Sequence, residues 1–300
     1  MRNRETQSFD RRQFLKSAAC GAAASAVMPG LFASAASAAE GRWKMKLSCS
    51  TIDYSRLTIE EACRRIAALG FEGVDVWSAH AGCPHLDDVL DRLGAEGLKE
   101  VLAENKLKLY AFSVYSGGYG KYAELLGKAG GGVAVRGSAG ACPPEELTKR
   151  MKAFIEGLKP DLELAEKYDS YLAVENHSGA LLNGLDSFKA FVDNNGHPRL
   201  GIAMAPYHLQ GQGVSIEEAI AATGKQLFFF YAWQRAPGTG QLPGIGPTDC
   251  TPWLAALSKI DYPWYVNPFM HQEPEPDAMD EALAKSRDYL EACYAKAVPR

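Results

Sequence analysis

From residue 45 to the C-terminus, short apolar runs alternate with amphipathic stretches eight times. This repeat constrains the fold more than any single motif. Strands are predicted over 45–50, 73–77, 107–114, 132–136, 170–175, 200–205, 226–233 and 263–269. Helical segments are predicted over 58–69, 87–105, 119–128, 143–168, 185–194, 215–223, 252–258 and 276–296. Thr58-Ile59-Glu60-Glu61 and Ser215-Ile216-Glu217-Glu218 read as capping boxes, in which the hydroxyl and the later Glu satisfy orphan amides at a helix start. Eight strand-then-helix units predict a closed parallel sheet covered on both faces, an α/β (β/α)8 TIM barrel in a single domain. An open doubly wound sheet is the alternative, but no G-x-G-x-x-G follows the first strand.

The first 38 residues read as an address. Asp10-Arg11-Arg12-Gln13-Phe14-Leu15-Lys16 has the pattern of a twin-arginine export signal. An Ala-rich, weakly apolar stretch follows, then the small-x-small candidates Ala33-Ser34-Ala35 and Ala36-Ser37-Ala38. The stretch is poor in Leu, Ile and Phe and is broken by Pro29, so no stable membrane span is expected. The chain is therefore divided into a signal at 1–38 and a barrel at 39–300. A periplasmic or otherwise exported protein is expected, with the twin-arginine translocase as its partner during export.

The formal net charge is −4, and the signal segment is basic, so the body is more acidic still, at about −7. An acidic body is a poor match for a phosphate backbone, and nucleic-acid binding is not expected. The body's six cysteines form no C-x-x-C pair and read as small apolar core residues, with disulfides left open.

Strand parity sorts side chains by face. Leu172, Val174, Ile202 and Met204 point to the helices. Tyr171, Ala173, Glu175, Gly201, Ala203 and Ala205 point into the barrel, as do Asp75 and Asn267. An inward carboxylate at the C-terminal end of a barrel strand is costly unless paired or functional, and active sites form at that end.

Several motifs occur in order along the body. They are Gly70-Phe71-Glu72-Gly73-Val74-Asp75-Val76-Trp77, Leu172-Ala173-Val174-Glu175-Asn176-His177, Met204-Ala205-Pro206-Tyr207-His208-Leu209, Arg235 with Pro237-Gly238-Thr239-Gly240, and Asn267-Pro268-Phe269. Together they resemble the xylose isomerase-like barrel superfamily of sugar isomerases, sugar-phosphate isomerase/epimerases, inosose dehydratases and family 2 abasic-site endonucleases. The resemblance implies a carbohydrate partner and proton abstraction next to a carbonyl. It also implies a divalent cation held by Glu, Asp, His and Glu from strands five to eight. The matching positions here are Glu175, Ala205, Tyr231 and Asn267, so the usual metal site is expected to be degenerate. A cation held by a rearranged set of Glu175, His208 and His271 is the metal-dependent variant. A metal-free lyase and a non-catalytic sugar-binding barrel are the alternatives.

Candidate catalytic residues are thus Glu175 as base, with His208 and His271 as groups polarising the oxygen. Candidate substrate-binding residues are Trp77, His177, Trp233, Gln234, Arg235 and Asn267. Tyr115 and Phe269 add flat aromatic faces suited to sugar rings. Bland readings stand beside these: Glu175 tied to Arg136, and Arg235 paired with Asp249. His80 and His85 are expected at the mouth, where with Cys83 they form a weak metal candidate. The Gly- and Pro-rich segment 234–247 reads as a lid or substrate wall.

Overall fold

The computed structural model describes residues 42–299. The export signal predicted at 1–38 lies outside the described residues. Eight strands close into a barrel in sequence order: β1 Lys46–Ser50, β2 Gly73–Trp77, β3 Lys108–Ser113, β4 Gly132–Gly137, β5 Ser170–Glu175, β6 Leu200–Met204, β7 Leu227–Ala232 and β8 Tyr265–Pro268. Every neighbouring pair is parallel, and β8 closes on β1 through Tyr265 opposite Lys46 and Val266 opposite Leu47. The open-sheet alternative is thereby excluded.

Two apolar cores result from strand parity. Leu172, Val174, Ile202 and Met204 join the larger core between sheet and helices. Tyr171, Ala173, Ala203, Ala205 and Tyr231 join the core inside the barrel. The lower interior is filled by large rings, with Tyr110 stacked on Phe229 at 4.7 Å and its hydroxyl donating to the Phe228 carbonyl at 2.7 Å. Gly201 makes room for this layer, because a Cβ there would stand 2.5 Å from the Phe228 ring. Small inward residues opposite large ones are how a tapering barrel interior is filled.

The helices depart from expectation at identifiable places. The span predicted at 87–105 becomes a short helix His85–Asp88, a wider π turn Val89–Leu93 and the helix Gly94–Glu104. Gly94 at φ 65° marks the change of winding. The span predicted at 143–168 breaks into Leu147–Gly157 and Lys159–Lys167. Pro160 supplies no amide to continue the ladder. The caps at Thr58 and Ser215 accept from the Glu61 and Glu218 amides at 3.3 and 3.2 Å. Glu61 turns to Arg64 and Arg65 rather than back to the cap, so the full reciprocal box does not form there.

All six cysteines of the described body are unpaired, and all but the half-buried Cys142 are buried. Among the described residues no helix is long and apolar enough to cross a membrane.

Candidate functional site

The C-terminal ends of the strands surround a cavity of about 690 Å3, within the range of small-molecule sites. Strand register explains why Glu175 reaches it. The residue is the last of β5, opposite Gly137 on one side and Ala203 on the other, so small neighbours leave its carboxyl at the cavity floor. Arg136 is not its partner, since Arg136 pairs with Asp161 at 2.6 Å on the helix side. Burial lifts the Glu175 carboxyl to about 7, and the Tyr115 hydroxyl offsets part of that rise. The Tyr115 hydroxyl also meets that of Tyr231 at 3.1 Å.

Two aromatic surfaces rise from this floor. On one side Trp77 stacks on Phe269 at 5.3 Å and leans on Tyr115 at 5.1 Å. On the other, Tyr207 stacks on Trp233 at 4.4 Å. The short helix Pro206–Gln210, absent from the sequence expectation, carries both Tyr207 and His208 to the cavity immediately after β6. His208 is nearly buried, with Nδ1 3.2 Å from the Ser178 hydroxyl and its ring 4.0 Å from that of His177. Burial first, then the charges of His177, His271 and Arg235, push its pKa down to about 3. His208 is therefore a neutral imidazole at physiological pH.

His271 also lines the cavity, edge-on to Trp77, Trp233 and Phe269. One side chain fixes its backbone at both ends. The Gln241 Oε1 accepts from the His271 amide at 3.2 Å, and its Nε2 donates to the His271 carbonyl at 3.0 Å. The same Oε1 accepts from the Trp233 indole at 2.8 Å. Nothing local in the sequence marks Gln241, because its partner lies 30 positions away.

Three expected substrate contacts are placed elsewhere. Gln234 is fully buried, donating to the Leu242 carbonyl at 2.7 Å and accepting from the Thr248 amide at 2.7 Å, so it holds its own loop in shape. Arg235 lies outside the lining and packs over Tyr207 at 5.4 Å, not against Asp249. Asn267 is buried below the cavity, donating to the Ser48 hydroxyl at 3.0 Å and accepting from that of Ser50 at 3.3 Å. Asp75 belongs to this same buried layer. It accepts from Ser50 at 2.8 Å, from Ser113 at 2.9 Å and from the Trp77 indole at 2.6 Å, and burial raises it to about 6. Trp77, His177, Trp233 and His80 do line the cavity. His85 does not: it is buried, its Nε2 2.9 Å from the Leu57 carbonyl and its Nδ1 3.4 Å from the Cys83 thiol.

The donor set does not fit the divalent cation that the resemblance implies. Ala205 has no ligand atom and Asn267 is turned to serines. Burial and nearby Glu175 push the Tyr231 phenol well above its ordinary range, so it stays protonated. Among the described residues, no three His, Cys, Asp or Glu side chains are arranged to hold a metal ion. The rearranged set of Glu175, His208 and His271 therefore lines one cavity without forming a ligand cluster, and Cys83 with His80 and His85 forms none either. A hard or borderline cation needs several such donors together to leave water.

A family profile described as Xylose isomerase-like TIM barrel matches residues 63–292. Among solved structures, a xylose isomerase-like TIM barrel/4-hydroxyphenylpyruvate dioxygenase fusion protein matches at 16% identity and TM-score 0.64. That match covers 85% of this chain and 43% of the fusion protein, so the chain spans less than half of that relative's length. An IOLI protein with a bound zinc atom matches at 17% identity and TM-score 0.68, covering 85% of this chain and 100% of the other. The 3-keto-D-glucoside 4-epimerase YcjR from E. coli matches at 17% identity and TM-score 0.64, covering 82% and 100%. At such identities these likenesses show the fold alone. No curated protein sequence matches. The chain belongs to the xylose isomerase-like TIM barrel family.

Proposed function

We propose that this member of the xylose isomerase-like barrel family is an exported carbohydrate enzyme of the isomerase/epimerase type. It removes a proton from the carbon beside a carbonyl without a resident metal. The observation that carries this reading is Glu175, a carboxyl at the floor of a cavity walled by two aromatic faces. A base titrating near the working pH is suited to moving a weakly acidic C–H proton. As that proton leaves, charge develops on the carbonyl oxygen. The neutral His208 ring and the Tyr115 hydroxyl line the same cavity and are the groups placed to polarise it. Stacked rings such as Trp77 on Phe269 suit the apolar face of a sugar.

The substrate is an unphosphorylated carbohydrate. Among the described residues lining the cavity there is no lysine or arginine to meet a phosphate. Export through the proposed Arg11-Arg12 signal would agree with this, since it would carry the protein away from phosphorylated cytoplasmic intermediates; R11K/R12K should then hold the protein in the cytoplasm.

The test is exchange in D2O on a panel of aldoses, ketoses and keto-glycosides, each beside its phosphate ester. Deuterium should enter next to the carbonyl of an unphosphorylated member and be absent with E175Q. Thermal stabilisation by sugars with no exchange at all would instead make the protein a non-catalytic sugar-binding barrel.

A further inference from the structure

Glu273 has no role in the site so far described, yet its surroundings are unusual. Its Oε1 is buried and has no hydrogen-bond partner among the described residues. The imidazole it faces is His271, whose Nδ1 lies 3.8 Å away. That is too long for a hydrogen bond, but contacts of this kind often tighten only when a ligand seats. The chain between the two is bent to bring them together. Gln272 sits at φ 64°, a left-handed conformation that a residue with a Cβ enters at a cost of about 1 kcal/mol or more. Such strain persists where the surroundings enforce it, and here the Gln241 clamp on the His271 backbone does so.

Behind Glu273 lies Asp53, on the turn Thr51–Tyr54 that follows β1. Asp53 is buried, with one oxygen unpartnered among the described residues and the other accepting from the Cys49 thiol at 3.4 Å. Burial and the Glu273 charge together hold the Asp53 carboxyl well above the usual range. A protonated Asp53 puts no second negative charge beside the carboxyl that faces His271.

We propose that Glu273 is a positioning residue that fixes the His271 ring with its Nδ1–H toward the carboxylate. Nε2 is then left free to take a hydroxyl proton from the substrate. The hydrogen bond made by one ring nitrogen sets which tautomer the other presents. The inference rests on the isomerase/epimerase reading above and adds a second proton carrier to it. In an enediol step, Glu175 moves the C–H proton between neighbouring carbons. Nε2 of His271 takes the hydroxyl proton while the O–H electron pair stays on oxygen. His271 then returns the proton to the former carbonyl oxygen. One C–H and one O–H bond break, one of each forms, and no oxidant or cation is consumed. The eighth strand itself brings no carboxylate to the cavity, because its inward residue Asn267 is turned to Ser48 and Ser50.

The full chain is compared with E273Q, E273D, E273L and H271N, each first shown to be folded by its thermal transition. With a sugar from the exchange panel, E273Q should lose about 10- to 100-fold in kcat with little change in KM, and E273D should recover part of it. Added to H271N, E273Q should cost nothing further. A second readout needs no turnover: imidazole 15N shifts of His271, assigned by their loss in H271N. They should report the Nδ1–H tautomer in the parent protein and its loss in E273L, which, unlike glutamine, has no oxygen to accept from Nδ1–H. The same tautomer in both proteins would overturn the proposal, as would kcat unchanged in E273Q. No turnover in the parent with the tautomer change intact would sink the enzymatic reading while leaving the Glu273–His271 coupling standing.

Discussion

The carboxyl of Glu175 should act on stability with the opposite sign to its effect on catalysis. Its pKa rises from 4.5 to about 7 in the folded chain. A raised pKa means that the folded state holds the proton more tightly than the unfolded chain does. Its contribution to stability is therefore full below about 4.5 and is lost as pH rises through 7. At about 1.36 kcal/mol per unit, the loss by pH 8.5 is on the order of 3 kcal/mol. Glutamine keeps the shape and cannot ionise. E175Q should thus match the parent protein near pH 4 and exceed it at pH 8.5 by roughly 2–3 kcal/mol, or about 5–10 °C in Tm for a chain of this size. Paired thermal melts across pH 4–9 read this directly. Asp75 and Asp53 also titrate abnormally, but they are common to both proteins and cancel in the difference. In the same series the parent kcat/KM should climb through about pH 7 as Glu175 ionises, while E175Q stays inactive. A Tm difference independent of pH, or E175Q less stable at pH 8.5, would refute the argument that desolvation sets this carboxyl.

Exhaustive chelation, followed by melting and D2O exchange assays, should change neither Tm nor rate, given the chemistry of Ala205, Tyr231 and Asn267. Loss of activity that returns with zinc or manganese would overturn the donor argument. Gly201→Ala should destabilise the barrel by about 1–3 kcal/mol, because the new methyl meets the Phe228 ring and the Gln226 carbonyl at 2.5 and 2.6 Å. Denaturant midpoints would check this, and a neutral result would mean that the lower aromatic layer is looser than it looks.

The barrel was legible because its signals are local. Period-two alternation along 170–175 and 200–205 assigned each side chain to a face, and the two cores separate along those lines. The same parity put Glu175, Asp75 and Asn267 inside. It could not say at what depth. Asn267 and Asp75 lie in a buried layer with Ser48, Ser50 and Ser113, while Glu175 reaches the cavity, and only the stagger between strands decides that. Loop position points to Gln234 and the family resemblance to Arg235 as site residues, yet a Pro- and Gly-rich loop must satisfy its own backbone amides and carbonyls. Gln234 does so from inside, accepting from Thr248 and donating to Leu242.

What the sequence determined by itself, then, was the wall: eight units, two faces, and the side chains each strand turns inward. What tertiary structure decided was which of those side chains share an environment. Gln241 grips His271 across 30 positions, and Tyr115 meets Tyr231 across 116. A residue's period is set by its immediate neighbours on the backbone. Its hydration and its hydrogen-bond partners are set by what the closed barrel brings against it, and those decide whether a carboxyl or imidazole carries a proton at neutral pH.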